Sequence, residues 1–126
     1  STLIAEYFDA IGSGAGLLGA DRLSTLRRTA LAQGLIDAAF ALVVERRRPA
    51  DRQWEAWSAR QRQAIERTLT KVAAPDAFDL AGITLACGLA YLDFRLPELA
   101  WRSLRPDLAR WLDDVARRPS MQATKP

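Results

Sequence analysis

Apolar residues recur at helical spacing along nearly the whole chain, and nowhere do they alternate as they would in a strand. Leu3, Ile4, Tyr7 and Phe8 fall at helical spacing in a short first helix, with Ser1 placed to cap it. Gly12, Gly14, Gly16 and Gly19 then break the pattern, so residues 10–20 read as a linker and mark a boundary between two structural units. Leu17 and Leu18 in that linker should be pinned against something apolar. A long second helix follows from about Arg22 to Arg47, capped by Asp21. From Ala30 to Val44 its apolar residues point in nearly every direction, which requires burial on more than one side. Gln33 and Asp37 interrupt that stretch and, four residues apart, share a face. Arg46, Arg47 and Arg48 close the helix where positive charge suits the carbonyl end of the dipole.

Pro49 separates this helix from a third, about Asp51 to Val72, with an apolar stripe of Trp54, Trp57, Ala64, Ile65, Thr68 and Val72. Residues 73–79 read as a loop. A fourth helix starts after Thr84 and runs to about Leu96, where Pro97 ends it. Its first polar side chain after Cys87 is Asp93, so it is the candidate for the central buried helix. Pro106 opens a fifth helix, whose inward face is Leu108, Trp111, Leu112 and Val115; Pro119 opens a last short turn.

A chain of 126 residues with half its positions apolar makes one domain with a real core. The single cysteine, Cys87, excludes an internal disulfide and fits a reducing compartment. Histidine is absent, which removes Ser-His-Asp triads, histidine general bases and the usual zinc sites together; no metal is expected. The net charge of +3 is mild and mixed with acids, so it speaks for solubility rather than for nucleic-acid binding. The apolar run Ala38–Val44 falls far short of a membrane span, and no signal-peptide pattern is present. The chain opens at Ser1 without a methionine, which reads as a fragment or processed product of a cytoplasmic protein.

The last third holds the most characteristic residues: Thr84-x-x-Cys87, Tyr91-Leu92-Asp93, Trp101-Arg102, Pro106-Asp107-Leu108, and the closing Trp111-x3-Val115-x2-Arg118-Pro119-Ser120-x3-Thr124-x-Pro126. With Ser1-x-x-Ile4-x-x-Tyr7 at the start, the pattern resembles the all-helical C-terminal domain of bacterial glutathione transferases over the whole chain. The resemblance implies an all-α bundle of five main helices plus one short leading helix. Residues 1–20 would be the last helix of a thioredoxin-like domain and its linker, and residues 21–126 the helical domain itself. It implies a parent enzyme that conjugates glutathione to hydrophobic electrophiles and works as a homodimer without nucleic acid or membrane. This part would supply substrate-pocket wall and dimer interface, inactive alone. A non-enzymatic interaction module of the same fold is the alternative.

By the same resemblance, Ser1 matches a serine that holds the γ-glutamyl carboxylate of glutathione, and Gln33 a position that reaches the partner subunit's glutathione. Asp37, Phe40 and Trp101 would line the substrate pocket. Thr84 matches the cap of the central helix, with Cys87 where the family places the aspartate of a capping box. On that reading Cys87→Asp would stabilise. Plainer readings stand beside these: Ser1 as a simple cap, Gln33 and Asp37 as a wet strip, Cys87 as a buried small hydrophobe, the tryptophans as core, and Arg46–Arg48 as a solvated face.

Overall fold

The computed structural model describes residues 2–14 and 16–125; the expectations for Ser1 lie outside the described residues. Among these residues there are seven α-helices and no strand: α1 Thr2–Ile11, α2 Arg22–Arg46, α3 Glu55–Lys71, α4 Leu80–Arg95, α5 Trp101–Leu104, α6 Pro106–Val115 and α7 Pro119–Ala123. Two 3₁₀ turns, Ala50–Arg52 and Pro97–Leu99, complete the order.

The long α2 is the spine, packed mainly against α4 and then α3. Leu35, Ala39 and Leu42 of α2 interdigitate with Leu85, Ala86, Leu89 and Leu92 of α4, and all are buried. Gly88 makes this approach possible. A Cβ there would stand 3.2 Å from side-chain atoms of both Leu35 and Ile36, so any larger residue requires those side chains to give by a few tenths of an ångström. α6 closes the other side of α4 with Leu108, Leu112 and Val115.

Polar side chains fix the joints between helices. Asp21 caps α2 as expected, accepting from the Ser24 N–H. The third helix starts later than Asp51, because Ala50–Arg52 forms a 3₁₀ turn and Trp54 takes the cap position. Trp54 is 64% exposed and stacks on Trp57 instead of joining the core. With no cap from its own side chain, Trp54 donates its N–H at 2.7 Å to the buried carboxylate of Glu45 near the end of α2. At the far end of α3, the Arg105 guanidinium donates to the Leu69 and Val72 carbonyls and is held by Asp107. The hydrogen bond from Arg105, opposed by desolvation, lowers the Asp107 pKa to about 2.

The start of the central helix differs from the sequence expectation. α4 begins at Leu80, and Asp79 is its cap, accepting from the Gly82 N–H at 2.9 Å. Thr84 is therefore inside the helix, its hydroxyl donating back to the Leu80 carbonyl at 2.7 Å. Cys87 sits in mid-helix on the exposed side, so neither residue is part of a cap and Cys87 is not a buried hydrophobe. The capping-box spacing exists five residues earlier as Asp79-x-x-Gly82, with only one of its two arms. A Cβ at Gly82 would come within 2.9 Å of the Ala77 carbonyl, leaving no room for a carboxylate there without movement.

Candidate functional site

Among the described residues, two apolar faces in the first half of the chain are uncovered. α1 is turned inside out. Its polar side faces the body, where Glu6 pairs with Arg22 and Asp9 accepts from the Leu17 N–H at 2.7 Å. Its apolar side, Leu3, Ile4, Tyr7, Phe8 and Ile11, is 61–79% exposed. The linker is tied down by a backbone bond from the Leu80 N–H to the Leu17 carbonyl, which fixes α1 near the start of α4. Leu17 is thus tied through its backbone, and both Leu17 and Leu18 are half-buried.

The second face runs along α2. Gln33, Asp37, Phe40 and Val44 recur at helical spacing on the side away from α4. Gln33 donates through Nε2 to Asp37 Oδ1 at 2.9 Å, so the shared face foreseen from their spacing is real. That bond uses one of the amide's two N–H donors, and the amide oxygen remains an acceptor. Phe40 is 59% exposed and Val44 42%. A carboxylate, an amide oxygen and an aromatic ring on one open stripe can receive a cationic group beside an apolar one.

Trp101 does not belong to this face. It is 1% exposed, packed in the core between α4 and α6, with its indole N–H donated to Asp93 at 2.8 Å. The left-handed turn at Ala100, φ 47°, ends the 3₁₀ segment and swings the tryptophan inward at the start of α5. Arg102 then brackets the same aspartate and reaches Asp113, tying α4 to α6. Proline and tryptophan in a connector suggested a pocket wall, but Pro97 is exposed and Trp101 is a buried anchor instead.

Sequence reasoning also missed a cleft of about 480 Å³ between the first half of α2, the 72–79 loop and the start of α4. Arg28 sits in it, paired with Asp79 at 2.6 Å. Partial burial pushes the Asp79 carboxyl up, but the Gly82 N–H and Arg28 outweigh it and hold the group below its ordinary value. With Lys71 balanced by Asp76 along the same wall, the cleft carries no dominant charge. Loop spacing gave no signal for it, because Arg28 and Asp79 lie 51 residues apart. Among the described residues no cluster of acids and cysteine could hold a metal ion, and no single helix is long and apolar enough to cross a membrane.

No family model matches the chain. It is 34% identical over its whole length to the uncharacterised GST-like protein YibF of Escherichia coli (strain K12), covering 68% of that protein. It belongs to the glutathione transferase family. A glutathione transferase family member from Pseudomonas fluorescens Pf-5, solved with bound S-(propanoic acid)-glutathione, superposes with a TM-score of 0.93 at 38% identity, over 99% of this chain and 69% of that one. A glutathione S-transferase from Methylobacterium radiotolerans JCM 2831, in complex with glutathione sulfonate, gives a TM-score of 0.90 at 31% identity over 99% of this chain and 65% of that one. The all-helical architecture is thus that of about two thirds of a glutathione transferase.

Proposed function

We propose that this chain is the C-terminal helical part of a glutathione transferase that conjugates the glutathione thiol to hydrophobic electrophiles. The observation that carries the reading is its likeness to solved family members that hold glutathione or a glutathione conjugate. In the complete protein the outward apolar side of α1 packs on a thioredoxin-like domain, with residues 1–20 belonging to that domain and its linker. Two features support this: an amphipathic helix presents its apolar side to a partner, and α1 presents that side away from the bundle.

The α2 stripe then faces ligand. Phe40 supplies apolar wall for the electrophile. Gln33 offers its free amide oxygen, and Asp37 its carboxylate, to the α-ammonium of glutathione across a homodimer interface. Ser1 binds the γ-glutamyl carboxylate, since a hydroxyl beside free N–H groups at a helix start suits an anion. Activation of the thiol falls to residues outside this chain. The protein acts in the cytoplasm without nucleic acid, membrane or metal.

Calorimetric titration with glutathione tests the reading. The full-length protein should bind glutathione, and the 126-residue chain alone should bind it at least an order of magnitude more weakly and show no conjugation. A full-length protein that neither binds nor turns over glutathione would leave the interaction module of the same fold as the answer.

A further inference from the structure

Among the described residues no side chain of α1 is buried, so core packing does not decide where that helix stands. Between it and the bundle lies a shallow gap of about 340 Å³, bordered by Phe8, Asp9, Leu17 and Phe78. Polar contacts hold α1 instead, and they converge on one linker residue. Leu17 donates its N–H to Asp9 Oδ1 of α1 at 2.7 Å, and its carbonyl accepts the Leu80 N–H of α4 at 2.9 Å. Leu80 is the first residue of α4, and its N–H has no acceptor within its own helix, so the linker satisfies a donor that α4 leaves over. Gly16 and Gly19, at φ 74° and 61°, bend the chain around Leu17 into this position. Glu6 and Arg22 also join α1 to α2, but the Arg22 side chain is 61% exposed and such a pair adds little.

We infer, resting on the glutathione transferase reading, that Asp9 is a positioning residue for conjugation. Through Leu17 it fixes α1, and the thioredoxin-like domain packed on it, relative to the substrate face of α2. The start of α4 is itself tied to α2, because its cap Asp79 pairs with Arg28. One carboxylate on α1 is thereby linked, through Leu17 and α4, to the helix that carries Gln33, Asp37 and Phe40. The glutathione thiol is presented from one side of this joint, and the electrophile rests on the other. Misplacing reacting groups by about 1 Å can cost a factor of about 100 in rate. Asp9 therefore acts on the rate without touching either substrate.

Two variants of the full-length protein test this. Asp9→Ala removes the acceptor, whereas Asp9→Asn keeps an Oδ1 that can take the Leu17 N–H. Hydrogen exchange at the Leu17 and Leu80 amides should speed up about tenfold or more in Asp9→Ala and stay within about threefold of the parent in Asp9→Asn. With glutathione and 1-chloro-2,4-dinitrobenzene, kcat/KM for the electrophile should fall about tenfold in Asp9→Ala and recover in Asp9→Asn. Calorimetry should give parental affinity and stoichiometry for glutathione in both, which partial unfolding would not preserve. Parental exchange at both amides of Asp9→Ala would overturn the clasp. Fast exchange with parental kcat/KM would overturn the positioning role. A parent protein that does not turn over glutathione fails the function itself and the positioning role with it, while the exchange rates still decide whether Asp9 holds α1.

Discussion

The two sides of α2 are both apolar, yet only one of them is closed. Leu35, Ala39 and Leu42 are wholly buried against α4, while Phe40 and Val44, on the opposite side of the same helix, stand open. The inner side is closed by fit: Gly88 lets α4 approach, and leucines from both helices fill the seam. The outer side has the composition of a core with no partner among the described residues, and it carries Gln33 and Asp37 besides. Apolar content alone therefore does not separate core from binding surface. What separates them is whether polar groups on the same stripe remain free to meet a ligand.

The contrast is sharpest for the aromatic residues. Trp101→Ala removes a fully buried ring and its indole donor to Asp93, which Arg102 still holds, and should lower stability by about 3–5 kcal/mol in urea unfolding. Phe40→Ala in the same assay should stay within about 0.5 kcal/mol of the parent, as an exposed residue does. Equal losses would erase the distinction between the two sides.

Glu45→Ala is the next largest effect. It leaves the Trp54 N–H without its acceptor and severs the joint between α2 and α3, for a loss of about 1–3 kcal/mol. Thermal melts of Glu45→Ala and Glu45→Gln should rank the glutamine variant between alanine and the parent.

Asp79→Ala removes the cap of α4 and should cost about 1 kcal/mol at neutral pH. Because the folded pKa of Asp79 lies below its ordinary 3.8, its contribution is complete well above that value. It fades as pH falls through the lowered folded value. The stability gap between parent and Asp79→Asn should therefore be constant near neutrality and shrink in acid, and a gap that widens in acid would contradict a lowered folded pKa.

Smallest is Cys87→Asp. With Cys87 exposed in mid-helix, an aspartate finds no cap N–H and has about the helix propensity of cysteine, so stability should stay within about 0.5 kcal/mol of the parent. The sequence pattern had suggested a gain, and a melt that rises would restore the cap at Thr84.

Helix order, the long buried α2 and the central place of α4 were legible from spacing, because 3.6-residue periodicity survives in the sequence. The start of α4 was not. Asp79 and Thr84 are both acceptable caps, and the choice was settled by the Arg28 contact and the close Ala77 carbonyl, which no local pattern encodes. Gln33 and Asp37 were found because they interrupt an apolar run. Trp101 was misplaced because its destination depends on one left-handed residue, Ala100, of a type that rarely adopts that conformation.

The central claim is that the open side of α2 faces substrate, and steady-state kinetics of full-length Phe40→Ala test it most directly. With glutathione and 1-chloro-2,4-dinitrobenzene, kcat/KM should fall about tenfold or more through lost apolar contact, at unchanged melting temperature and unchanged affinity for glutathione. A Phe40→Ala enzyme with parental kcat/KM would contradict the assignment of that face.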